Sequence, residues 1–427
     1  MPDGSATAHL YRPKLATTLA EGYGMPALRR DAMAGLTVAI LALPLSMAIA
    51  VASGVGPERG LYTAIVGGFL VSALGGSRYQ VGGPAGAFIV LVAATAAKFG
   101  LDGLLLTVLV SGLLLTLIGA LRLGSLIRHI PHAVTVGFTA GIAVTILASQ
   151  LRDLGGLSLT GPEPGPVAPK LIALAQAAPS LNPAAVALGL AVAATIFGLK
   201  RIKPNWPGML IAVMAAGLAA WALHLPVATI GSRFGGIPHS LPAPHAPAFS
   251  WPLLVRIAPA ALSFTLLGGV ESLLSATVAD RLTGRKHRSN MELVAQGLAN
   301  IASAFFGGIS VTGTIARTAT NIRAGARSPV AGMLHAVFLL VFMLAAAPLA
   351  SYVPLSALAG VLVVVSWNMA EKAEFARLLR DWRTGTVLLA TFVLTLARDL
   401  TTGIVAGCLL AAAFWAASRV ARDRPAP

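Results

Sequence analysis

The chain has 427 residues, of which 56% are hydrophobic and only 11% charged, with a mean hydropathy of +0.81. Soluble domains carry about 25% charged residues, so an ordinary soluble fold is excluded. The net charge of +16 does not mark a nucleic-acid binder either, because the basic residues stand in short clusters between apolar runs rather than on one face.

Residues 1–34 are polar and basic, with Arg12, Lys14, Arg29 and Arg30. They lack the charged start, short apolar stretch and small-residue cleavage site of a signal peptide, so they read as a cytoplasmic N-terminal segment. Fourteen apolar segments follow, at about 35–53, 60–75, 82–98, 103–121, 131–150, 183–199, 207–225, 253–277, 291–307, 312–325, 329–348, 355–370, 384–398 and 401–418. Most approach the roughly 20 residues a bilayer requires; the short ones read as tilted or broken spans. A short cytoplasmic tail, 419–427, ends the chain. This is an all-α polytopic membrane protein, and residues 35–418 are its transmembrane domain.

Charge sets the orientation. With the N-terminus inside and a crossing at every segment, 23 Lys and Arg fall in the cytoplasm, including Arg122, Arg128, Arg281, Lys286 and Arg288, and 7 fall outside. That bias fits retention of Lys and Arg inside, places both termini in the cytoplasm of a cell membrane, and requires an even number of crossings. Two proline-rich stretches, 151–182 and 226–252, fall outside and read as stiff surface loops; Pro162 and Pro164 belong to the first, Pro238 and Pro242 to the second.

The segments divide into two sets of seven, 35–225 and 253–418. An odd number per half turns the halves into opposite orientations, as an inverted repeat does. Segment three opens Gly82-Gly83-Pro84-Ala85-Gly86-Ala87, and segment ten Thr312-Gly313-Thr314-Ile315-Ala316-Arg317. Both patterns predict an irregular entry into a helix that begins partway through the membrane. Irregular backbone at that depth is tolerated where it lines a cavity, and two half-helix N-termini meeting there would hold an anion through free N–H groups. Arg317 adds a full positive charge. Packing alone also recruits Gly and Pro to membrane helices, but the matching places in the two halves favour a site. Substrate therefore falls to Ala85, Gly86, Ala87, Thr314, Ile315, Ala316 and Arg317.

Glu271 is the one acidic residue placed deep within a span. A carboxylate there is costly unless paired or protonated: it would pair with Arg317, take a coupling proton, or ligate Na⁺ with Ser275 one turn on. Asp280 and Arg281 read as a boundary pair, and Asn321 and Arg323 as lining for the inner vestibule. His129, His132, His224 and His335 lack metal-ligand spacing. Trp206, Trp221, Trp251, Trp367 and Trp415 mark span ends. With only Cys408 available, a disulfide within the chain and a thiolate metal site are excluded. Enzyme and ATP-binding motifs are missing, so the chain reads as no enzyme, with no cofactor beyond a bound Na⁺.

These motifs resemble the SulP family of anion transporters over essentially the whole length. The resemblance is carried by Ala34 to Thr37 through Leu43-Pro44 to Gly60-Leu61-Tyr62, by Gly75 to Arg78 and Gly82-Gly83-Pro84, and by Asn290 to Gly308 and Ala316 to Pro329. It implies fourteen spans in a seven-plus-seven inverted repeat, with core and gate domains, an elevator-like movement of the core, and a homodimer in the bilayer. Family substrates include sulfate, bicarbonate, chloride and dicarboxylates, often with H⁺ or Na⁺ coupling. The anion site maps to the same half-helix residues, and the acidic and hydroxyl positions of the eighth span to Glu271 and Ser275. Two positions depart from the pattern: Leu45 replaces the Gln that often follows the first-span proline, and Ala316 a Ser that often precedes the tenth-span Arg. The usual STAS domain does not follow by Pro427. An uncoupled anion channel on the same scaffold is the alternative; a nucleobase transporter fits less well, because Arg317 stands where an acid would pair with the base.

Overall fold

A computed structural model describes residues 11–124, 131–161, 163–164, 166–204, 206–398 and 400–422. Arg128, His129 and Pro162, together with residues 423–427 of the tail, lie outside the described residues. The helices are α1 (Lys14–Ala20), α2 (Met25–Ala52), α3 (Pro57–Tyr62), α4 (Gly68–Leu74), α5 (Ile89–Ala120), α6 (His132–Gly155), α7 (Val167–Gln176), α8 (Pro183–Ile202), α9 (Gly208–Ala222), α10 (Ile230–Phe234), α11 (Trp251–Thr283), α12 (Ser289–Phe305), α13 (Ile315–Arg323), α14 (Val330–Ala350), α15 (Leu355–Met369), α16 (Lys372–Leu378), α17 (Trp382–Ala397) and α18 (Leu400–Arg422). A π-helical turn, Thr63–Gly67, joins α3 to α4. Two short strands, β1 (Gly82–Gly83) and β2 (Thr312–Gly313), are the exceptions to an all-helical chain among the described residues.

Seven helical stretches among the described residues are long and apolar enough to cross a membrane: Met25–Ala52, Gly86–Ala120, His132–Gly155, Pro183–Ile202, Trp251–Thr283, Val330–Ala350 and Leu355–Leu378. Shorter apolar helices include Gly208–Ala222 and Trp382–Ala397. Each of the fourteen apolar segments falls on helical structure, whole or broken. Segments three and four are the instructive pair. They run together as α5, which is interrupted at Gly100 (φ 69°, ψ −173°). Only glycine adopts that backbone without strain, so one residue breaks the helix between the two apolar segments.

Packing sorts the helices into two bundles. In one, α2, α4, α5, α11, α12, α13 and α14 pack together, with α5 against α12 and α14 against α2 as its main interfaces. In the other, α6, α8, α9, α15, α17 and α18 pack together, with α6 central against α15 and α17. Each half of the sequence contributes a block of consecutive helices to each bundle. Helix α2 stands at the boundary, touching α9 and α15. Helix–helix approach relies on small residues, as membrane packing requires; Gly112 of α5 and Gly297 of α12 sit against each other's backbones.

The proline-rich stretch that contains α10 joins the bundles on one face. Its start is tied to the second bundle through Ile230 N–H to Val353 O (2.9 Å) and the Arg233–Asp153 ion pair (3.1 Å). Farther on, His245 N–H donates to Phe305 O of the first bundle at 2.9 Å. The other stretch is less irregular than its prolines imply. It contains α7, whose Lys170 is buried and pairs with Glu163 at 2.8 Å.

Candidate anion site

The two broken segments meet and pair. β1 and β2 run antiparallel, with Gly82 opposite Gly313 and Gly83 opposite Thr312, and Thr314 N–H to Val81 O (3.2 Å) extends the contact. Extended backbone in a dry interior must find partners for its N–H and C=O groups. Part of the answer is this ladder; neighbouring helices supply the rest. Asn300 of α12 acts as a surrogate strand: its Nδ2 donates to Val311 O (2.8 Å) and its Oδ1 accepts from Val311 N–H (3.0 Å). Ile309 N–H donates to Thr63 Oγ1 (2.7 Å) and Ile309 O accepts from Ser303 Oγ (2.7 Å). On the other side, Asn321 Nδ2 donates to Tyr79 O (2.9 Å), and Val81 N–H donates to Thr318 Oγ1 (3.2 Å). Asn321 thus braces the crossing and does not line a vestibule.

Beyond the ladder each chain enters a helix. Ala85 is the extended cap of a 3₁₀ turn, Gly86–Phe88, that leads into α5; Thr314 is the extended cap of α13. Neither cap side chain accepts a hydrogen bond from its helix. First-turn N–H groups have no acceptor within their own helix, so those of Gly86, Ala87, Ile315, Ala316 and Arg317 remain available. Ala85 and Ala87 are buried, whereas Ile315 and Ala316 are exposed. Opposite Gly86 stand Ile146 of α6 and Met369 of α15; their side-chain ends lie 3.5 and 3.9 Å from where a Cβ would be. The second bundle therefore walls the site.

Arg317 is 3% exposed. Its Nη2 donates to Ser46 Oγ of α2 (3.0 Å) and Pro84 O (3.4 Å), and its Nη1 to Gly82 O (3.4 Å); Nε has no partner. All three acceptors are neutral. Taking an ion out of water costs several kcal/mol unless an opposite charge compensates it, and among the described residues no carboxylate pairs with Arg317. Glu271 in particular does not, so the ion pair that was one of its three expected roles is not made.

Glu271 is half-buried on α11, and its Oε2 is enclosed without a hydrogen-bond partner among the described residues. The hydroxyls that follow it on α11 face the crossing instead: Ser272 Oγ lies 2.7 Å from Thr312 Oγ1, and Ser275 Oγ donates to Thr318 Oγ1 (3.2 Å). Asp280 does not pair with Arg281; it takes His287 Nδ1 at 2.7 Å. His132 pairs with Glu374 across an exposed boundary (2.8 Å). His335 is fully buried in α14, with both ring nitrogens unpartnered.

Sequence reasoning missed Ser46, Thr312, Thr318 and Asn300. One signal was available. Glu292, Gln296, Asn300 and Ser303 recur at helical spacing on one side of an apolar span, and all four are buried. A polar stripe inside the membrane marks an interior face.

A helical bundle with a buried, uncompensated guanidinium under two converging half-helices is the architecture of a membrane transporter. The chain belongs to the sulfate permease family, which matches residues 28–393. It is 42% identical over 398 residues to YvdB of Bacillus subtilis (strain 168), covering 92% of this chain and 75% of that protein. Among solved structures it is similar to the transmembrane domain of a cyanobacterial bicarbonate transporter, BicA, at 30% identity and a TM-score of 0.79, covering 89% of this chain and 98% of that one. The fold also matches the murine Solute Carrier 26 family member A9 anion transporter in its inward-facing state, at a TM-score of 0.87, 18% identity, and coverage of 98% and 73%.

Proposed function

We propose that the chain is a secondary active transporter that carries a small anion, sulfate, bicarbonate or a dicarboxylate, across the cell membrane. The observation that carries this reading is Arg317, buried with neutral acceptors only. An anion seated between the first turns of the 3₁₀ entry to α5 and of α13 would supply the missing counter-charge and accept the free N–H groups of Gly86, Ala87, Ile315 and Ala316. The family's description, and the bicarbonate transporter to which the chain is similar, support the same class of cargo.

Glu271, enclosed beside Ser275, serves as the coupling residue in this reading, taking H⁺ or Na⁺ as the anion binds. Fourteen spans in a seven-plus-seven inverted repeat, with both termini inside, account for the paired broken segments and for the interleaving of the two halves. The two bundles then act as core and gate, and the core carries the anion past the gate in an elevator-like step. A homodimer is part of the same proposal.

The test is uptake of radiolabelled sulfate and bicarbonate into proteoliposomes, with and without imposed H⁺ and Na⁺ gradients. Gradient-driven accumulation is expected, and Arg317→Ala should reduce anion affinity by about tenfold or more. Uptake insensitive to both gradients, accompanied by single-channel currents, would replace coupled transport with an uncoupled channel on the same scaffold. Unchanged affinity in Arg317→Ala would remove the anion from this site.

A further inference from the structure

We infer that Ser46 and Gly83 are positioning residues that fix the Arg317 guanidinium beneath the anion. The inference rests on the reading of the half-helix crossing as the anion site and adds to it two residues that touch the cation rather than the substrate.

An arginine side chain is long and loses considerable rotamer freedom when held in place. In the first turn of a nine-residue helix nothing local fixes it, so its position must come from other elements. Ser46 is fully buried, and its hydroxyl proton is already committed to Ala42 O at 2.7 Å. The oxygen is left as an acceptor, and Nη2 of Arg317 lies 3.0 Å from it. The other two contacts, to Gly82 O and Pro84 O, are both 3.4 Å and weak by comparison. Ser46 is therefore the principal fixed point. Pro44, two residues before it, lacks the N–H that would close the preceding turn of α2, and the guanidinium meets the helix near this break.

Gly83 clears the space. A Cβ at this position would lie 1.5 Å from Nη1 and 2.8 Å from Cζ of Arg317. No side chain shares that volume with the guanidinium, so any other residue there displaces the charge. Serine on α2, glycine on the entry to α5 and arginine on α13 thus form one unit drawn from three separate elements. Among the described residues, the side-chain oxygen that meets the cation is that of Ser46.

The experiment is a double-mutant cycle on the purified full chain, with the Kd for sulfate and for bicarbonate measured by calorimetry and folding checked by thermal melting. Ser46→Ala should raise the Kd of the transported anion by about tenfold, the effect of removing a hydrogen bond to a charged group. Ser46→Cys, close in volume and a weak acceptor, should fall between the two. In an Arg317→Ala background Ser46→Ala should change nothing further, because a positioning residue acts only through what it positions. Gly83→Ala should weaken binding at least as much as Ser46→Ala; if it fails to fold, the serine pair carries the test. A Kd unchanged by Ser46→Ala, or effects of Ser46→Ala and Arg317→Ala that simply add, would overturn the positioning role. No effect from Arg317→Ala itself would overturn the anion site and this role together, which distinguishes the two failures.

Discussion

At the scale of single residues, what was legible in the sequence was charge in the wrong solvent. Arg317 and Glu271 stand out because ionised groups are rare in apolar spans. Their partners do not stand out. Ser46 lies 271 positions from Arg317, and one serine in a helix carries no sign of what it will face. The same limit explains why a Glu271–Arg317 pair was plausible from charge alone and absent in space. Glu271→Gln should abolish transport or uncouple it from H⁺ and Na⁺ gradients, with the thermal midpoint close to that of the unchanged protein; full coupled transport by that variant would refute the coupling role. His335 makes the opposite case. Its imidazole is enclosed with both nitrogens unpartnered, a cost that an apolar side chain of similar size avoids. His335→Leu should leave the melting temperature unchanged or raise it, and a clear fall would show that the ring nitrogens have partners.

At the scale of elements, the breaks could be read but their repair could not. Gly82-Gly83-Pro84 and Thr312-Gly313-Thr314 announce that a helix cannot start until later. That the two stretches pair as strands depends on register between residues more than 200 apart, which periodicity within either segment cannot reveal. The polar stripe of α12 completes the repair. Asn300 serves both the N–H and the C=O of Val311, so Asn300→Ala strands two buried backbone groups. It should destabilise the chain by about 3 kcal/mol, visible as a lower melting temperature, and weaken anion binding because β2 leads directly into α13. Asn300→Ala with an unchanged melting temperature would show that the clamp is dispensable. Segments three and four show a further limit of reading. They look like two spans, and the backbone joins them through Gly100 with no loop at all, because a single left-handed residue suffices to redirect a helix.

At the scale of the whole molecule, the helical, membrane-spanning character was legible and the grouping of the helices was not. Hydropathy locates helices along the chain but is silent on which pack together; that follows from small residues meeting at interfaces such as Gly112 against Gly297. Orientation rests on the asymmetry of Lys and Arg and has a direct check. In a Cys408→Ser background, which removes the only native thiol, a membrane-impermeant maleimide should label Ser240→Cys in intact cells and Lys286→Cys only after permeabilisation. The reverse pattern would invert the proposed topology.

The two-residue ladder between β1 and β2 has a mechanical consequence. It ties the pair of helix ends together, so in the proposed transporter the gap between them would keep one width. A jaw that opened between those ends would have to break the ladder, the Asn321 bond to Tyr79 O and the Arg317 contacts to Gly82 and Pro84 at once. In the proposed transporter the anion would then sit in a cup with a fixed rim, faced by Ile146 and Met369 of the other bundle; loading and emptying would follow the relative position of the two bundles, and the rim would limit which anions fit.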